Sequence, residues 1–155
     1  FHVVGGSKKR IFELMAKYEI PSNLRLHGFK NYPEAQAYRI HADILLAPFQ
    51  DKILLSNKAE SDISRWTSPL KIFEYMATGN PIICSNIEVL KEVLEDGKTA
   101  LLIPPDNVNL WVEAIVRLNS EPQLAKKIGL NAQIEFMKKY TWKIRAKNIL
   151  NSINE

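Results

Sequence analysis

The chain has 155 residues, 46% of them hydrophobic and 25% charged, with a formal net charge of +4. That is one globular domain's worth of sequence, or the larger part of one, and no apolar run approaches the roughly 20 residues that span a bilayer. The charge suits an anionic ligand or a membrane surface; it is too mild for a nucleic-acid partner, and no arginine-rich or aromatic-basic tract argues for one.

Phe1–Val4 reads as a short apolar strand, too brief and too soon followed by Gly5-Gly6 to be a signal peptide. A helical pattern covers Ser7–Tyr18, a strand Leu24–His27, a second helix Pro33–His41 and a third strand Asp43–Ala47. Phe49–Thr67 fits neither period: Asp51, Lys52, Asn57, Lys58, Glu60, Asp62 and Arg65 stand among scattered apolar residues. Open α/β sheets bind ligands in loops at the carboxyl ends of their strands, so this segment is expected to be mobile and near a ligand.

Ser68–Gly79 is the most informative stretch. Ser68 suits a helix cap, and Pro69 suits the first helical position. Leu70, Ile72, Phe73 and Met76 give the helix an apolar side, and Gly79 stands where a left-handed residue ends it. Free amides and roughly half a positive charge make such an N-terminus a ready phosphate site. Glu74 lies one turn further in, where a carboxylate could accept hydrogen bonds from sugar hydroxyls. On periodicity alone, a well-capped core helix with nothing bound fits equally well.

Pro81–Ser85 and Ala100–Ile103 read as the last strands, with a helix at Glu88–Glu95 opened by Ser85-Asn86. Short apolar runs alternating with helices mark a parallel α/β sheet, and near-continuous apolarity predicts strands covered on both faces. After Pro104-Pro105-Asp106 only helices follow, near Val108–Asn119, Pro122–Lys139 and Trp142–Ile153, with Thr141 as a cap for the last. Such a tail is usually a packing layer or an arm to another domain.

Cys84, the only cysteine, sits in an apolar run and reads as a small buried hydrophobe. His2, His27 and His41 have no metal-ligand spacing. Gly5-Gly6-Ser7-Lys8-Lys9 lacks the phosphate-loop pattern, and the absence of G-x-G-x-x-G argues against a nicotinamide or flavin domain.

Thr67 through Cys84 resembles the donor-binding signature of family 4 (group 1) retaining glycosyltransferases, two-domain enzymes of the GT-B fold. Val3-Val4-Gly5-Gly6, Leu26-His27-Gly28-Phe29 and Ala42–Pro48 are similar to that family's successive strand ends. Glu92 with Asp96-Gly97 through Ile103 resembles its "E…DG…G-L-L" segment, and Tyr140-Thr141-Trp142 its "F-T-W".

The resemblance implies a role for each matching residue. Glu74 matches the glutamate that holds the ribose hydroxyls. Ser68, Pro69, Leu70 and Lys71 match the turn that receives the diphosphate. Gly28, Phe29 and Lys30 match the turn whose backbone recognises the nucleobase, with Tyr32 able to add a ring face. Gly5, Gly6 and Trp66 fall in the cleft. Trp66 replaces the first glutamate of the family's E-x7-E motif, a departure read as a subgroup feature for which Glu60 or Asp62 could substitute.

The family's first strand, ending in Gly-Arg and followed by a lysine, has no counterpart, nor does its N-terminal acceptor domain. In the usual strand order 3-2-1-4-5-6 that strand is central. The sheet is then expected to close up, pairing Phe1–Val4 with Asp43–Ala47, or to borrow a strand.

The resemblance thus implies a Rossmann-like three-layer parallel sheet with helices on both faces and a helical C-terminal tail. Residues 1–155 form a single nucleotide-sugar-binding domain, without the first strand-helix unit and the acceptor domain. The whole enzyme would be a hexosyltransferase moving sugar from a nucleoside-diphosphate donor to a glycan, lipid or other acceptor, with no cofactor and no metal. Its setting would be cytoplasmic, peripheral to the inner face of the membrane. The competing reading is a non-catalytic α/β domain that binds nucleotide or a partner protein.

Overall fold

The computed structural model describes residues 1–50 and 70–153. Most of the segment Phe49–Thr67, together with Ser68 and Pro69, therefore lies outside the described residues. The chain divides into two compact units, Phe1–His41 and Ala42–Glu155.

In the first unit, strand β1 (His2–Val4) is followed by helix α1 (Lys8–Lys17), strand β2 (Arg25–Gly28) and helix α2 (Tyr32–Ile40). The side chain of Ser7 caps α1 by accepting from the Arg10 amide at 3.2 Å. Asn31 and Glu34 close a reciprocal capping box at the start of α2. β1 and β2 pair in parallel, with His2 beside Arg25 and Val3 beside Leu26, and the register shifts before Val4 meets Gly28.

The second unit contains β3 (Leu45–Ala47), α3 (Leu70–Thr78), β4 (Ile82–Ser85), α4 (Glu88–Lys91), β5 (Leu101–Ile103), α5 (Val108–Ser120), α6 (Pro122–Lys139) and α7 (Trp142–Ile153). Its sheet is parallel, in the order β3-β4-β5. β4 is buried throughout, and its residues alternate between two apolar clusters. Ile82 and Cys84 join Ala47, Leu102, Ile72, Met76 and Leu90 in one. Ile83 joins Leu101, Ala114, Leu118 and Ile128 in the other. Helices therefore cover both faces of this sheet, as continuous apolarity predicts. Removing a fully buried isoleucine such as Ile83 typically costs about 2–5 kcal/mol.

Three expectations are corrected. β1 is not covered on both faces: Val3 is 49% exposed, and no residue of α1 or α2 is buried. Two short helices against a two-stranded ribbon leave much apolar surface in solvent. Within the first unit β1 pairs with β2, and within the second β3 pairs with β4.

The fourth helix is also shorter than expected, ending at Lys91. Beyond it the backbone is claimed by a turn: Glu95 donates its amide to Thr99 Oγ1 at 2.8 Å, and Gly97 donates to the Ala100 carbonyl at 2.8 Å. Gly97 takes φ +69°, and Asp96 Oδ1 accepts from the Leu102 amide at 2.8 Å, so the Asp-Gly pair delivers the chain into β5. Ser85-Asn86 does not cap this helix; Ile87 occupies the cap position without a side-chain bond.

α7 begins as read, with Thr141 Oγ1 accepting from the Ile144 amide at 3.4 Å, but buries none of its residues. No described helix is long and apolar enough to cross a membrane.

Candidate functional site

In the first unit the glycines gather at the carboxyl ends of the two parallel strands. Gly5 and Gly6 leave β1 with φ of +125° and +81°, and Gly28 ends β2 at +68°. The Gly5 amide donates to the Gly28 carbonyl at 2.8 Å, so the two turns are joined through their backbones. A side chain on Gly28 would press on Ile11 Cδ1 at 3.2 Å. This is the end of a parallel sheet at which backbone can approach a ligand.

Phe29, 82% exposed, and Lys30 follow Gly28 directly. Lys30 Nζ reaches Glu34 Oε1 at 3.4 Å, which draws its charge toward the start of α2. Tyr32 is exposed, and one face of its ring is taken by the Arg39 guanidinium at 5.4 Å. Gly5, Gly6 and Gly28 are therefore brought together, with Phe29, Lys30 and Tyr32 along the chain that leaves them.

Leu70, Lys71 and Glu74 stand on α3 in the second unit. Leu70 and Lys71 occupy its first turn, which carries no acidic residue, and Glu74 is half-buried one turn later. Lys71 Nζ stands 5.7 Å from the ring centre of Phe49. Ser68, Pro69 and Trp66, the remaining candidates, lie outside the described residues.

The far end of α3 is closely held. Gly79 takes φ +79°, and its amide donates to the Met76 carbonyl at 3.3 Å. Thr78 Oγ1 donates to the Tyr75 carbonyl at 2.7 Å and accepts from the Asn80 amide at 3.1 Å. Phe73, adjacent to Glu74, packs against Tyr140 with ring centres 4.9 Å apart.

Two further features of this unit had no motif to announce them. Ser85, fully buried at the carboxyl end of β4, donates to the Phe49 carbonyl at 2.7 Å and so ties β4 to the chain leaving β3. The available signal was a serine closing an apolar strand, where a hydroxyl needs a partner. The other is the contact of α6 with the end of α3, where Gln133 Nε2 donates to the Ala77 carbonyl at 3.0 Å.

Cys84 is structural. Burial pushes its thiol up to about 12, so no thiolate forms near neutral pH. Among the described residues no three His, Cys, Asp or Glu side chains gather as a metal site. What α3 can offer a ligand is the amides of its first turn, the Lys71 ammonium and the Glu74 carboxylate, a set suited to an anion bearing hydroxyl groups.

The sequence model of the glycosyl transferases of group 1 matches residues 1–135. An uncharacterized glycosyltransferase of Methanocaldococcus jannaschii is 26% identical over 144 residues, covering 92% of this chain and 36% of the relative. Solved structures share the fold of this chain. The sucrose-phosphate synthase of Thermosynechococcus elongatus superposes with a TM-score of 0.75 at 22% identity, over 99% of this chain and 37% of the other. HepE of Anabaena in complex with UDP gives 0.74 at 15% identity, over 99% and 40%. At such identities the likeness shows the fold, that of the GT-B glycosyltransferases. The chain spans about a third of the length of these relatives.

Proposed function

The chain belongs to the group 1 glycosyl transferases, and from that premise we propose that it is the part that binds the nucleotide-sugar donor in a retaining hexosyltransferase. The observation that carries this reading is the placement of Glu74. It sits half-buried one turn inside α3, a helix whose first turn holds a lysine and no acid.

In this reading Glu74 accepts hydrogen bonds from the ribose hydroxyls. The amides of Leu70 and Lys71 and the α3 dipole receive the diphosphate, with Lys71 adding charge. The turn Gly28-Phe29-Lys30 presents its backbone to the base. UDP bound to a neighbour of the same fold supports a nucleoside diphosphate as the ligand class.

Charge developing on the leaving diphosphate would be stabilised by dipoles and cations already in place, which lowers the barrier without reorganisation. Acceptor recognition is assigned to polypeptide outside these residues, as is the family's Gly-Arg strand with its lysine. The acceptor is a glycan, lipid or other glycoconjugate precursor, met at or near the inner face of the membrane. This chain alone transfers no sugar.

Calorimetric titration with UDP tests the assignment. Glu74→Ala should weaken binding by about 1–3 kcal/mol, the worth of a hydrogen bond to a charged group, with little change in melting temperature. Unchanged affinity together with a large loss of stability would make Glu74 a structural residue. Donor hydrolysis by the full-length protein, absent from this chain, separates an enzyme from a module that only binds.

A further inference from the structure

α6 grips the end of α3 through two residues on successive turns. A side chain on Gly129 would collide with the Gly79 carbonyl oxygen, and its Cβ would lie 2.8 Å from the Gly79 carbonyl carbon and 2.9 Å from that of Asn80. All three are backbone atoms that cannot swing aside. Glycine within a helix costs about 0.5–1 kcal/mol relative to alanine, and this contact is the physical reason for its presence.

One turn on, Gln133 Nε2 donates to the Ala77 carbonyl at 3.0 Å, and its amide group lies 3.3 Å from the place of a Gly79 side chain. Ala77 is in the last turn of α3, where carbonyls have no helical donor. A helix seated by backbone contact and by a bond to its terminal carbonyl is fixed in height and rotation. Ala77 is three residues from Glu74, roughly 4.5 Å along the axis, so a slide at one is a slide at the other. Hydrogen bonds to ligand hydroxyls weaken steeply with such displacements.

We propose that Gln133 is a positioning residue for nucleotide binding: it sets the height of α3 and so the place of the Glu74 carboxylate, with Gly129 admitting α6 close enough for the bond to form. The inference rests on the reading of Glu74 as the ribose ligand.

The test is a double-mutant cycle on the full-length protein, with UDP affinity measured calorimetrically well below the melting temperature. Gln133→Met keeps the length of the side chain and removes its donor; Gln133→Ala reads the same quantity should methionine pack badly. Gln133→Met should raise Kd about fivefold in the native background and less than about twofold when Glu74 is already Ala, because neighbouring residues acting on one contact are not additive. An unchanged Kd with a lowered melting temperature would reduce Gln133 to a stability residue. An equal loss in both backgrounds would show that it acts elsewhere than on Glu74; either result overturns the inference while leaving the ribose reading intact. If Glu74→Ala alone leaves Kd unchanged, the ribose reading fails, and this inference fails with it.

Discussion

His2 Nδ1 and His27 Nε2 share a hydrogen bond of 2.8 Å, and the Tyr38 hydroxyl meets the other ring nitrogen of His27 at 3.1 Å. A single proton serves the contact between the two rings, so one of the two ring nitrogens accepts. Partial burial, followed by the positive charges of His2, Lys30 and Arg25, holds His27 below its ordinary 6.5. The unfolded chain takes up this proton near 6.5 and the folded chain at lower pH, so acid favours unfolding. The stability contributed by His27 is complete above 6.5 and is lost as pH falls through the lower folded value. A proton NMR titration should give His27 a midpoint below 6.5; a midpoint above it would contradict the geometry. None of this was legible in the sequence, where the two histidines stand 25 residues apart and show no ligand spacing. Cys84 was legible, because an unbroken apolar run leaves a thiol no solvent to ionise into.

Elements differ in how firmly they are held. β4 is buried along its whole length and bonded to a strand on each side, whereas α1, α2 and α7 bury no residue. Local opening follows buried apolar contact, so amide exchange should be slowest in β4 and faster in α1 and α7 by on the order of a hundredfold or more. Protection in α1 equal to that in β4 would show that the exposed Phe12 and Met15 are covered in solution. Pro122 and Thr141 made two boundaries readable, each acting where its chemistry suggests, whereas the Asn31–Glu34 box that starts α2 at Tyr32 was not read from the sequence. α4 was misjudged because its apolar spacing runs on through Val93 and Leu94, while Thr99 and Gly97 draw the backbone into a turn.

For the whole molecule, the proposed charge stabilisation comes from amides, a helix dipole and lysine. UDP binding should therefore survive excess chelator with an affinity change of less than about twofold, since amides and ammonium groups do not depend on a divalent ion. Strict dependence on magnesium or manganese would contradict it.

The sequence by itself determined the parallel α/β class and the helix bearing Glu74 that Gly79 ends, and its successive motifs carried the family. These are local signals: a period of two or 3.6, a cap, a glycine that must be left-handed. Only the tertiary structure decided which distant groups meet. Ser85 bonds Phe49 across 36 residues, and Gln133 bonds Ala77 across 56. The division of the strands into separate β1-β2 and β3-β4-β5 sheets was decided at the same level. Hydrophobic patterning records that a residue faces a core, and that requirement is met equally by any apolar neighbour. Which neighbour it is depends on how whole helices seat against the sheet, as where Gly129 lets α6 close on the turn after α3.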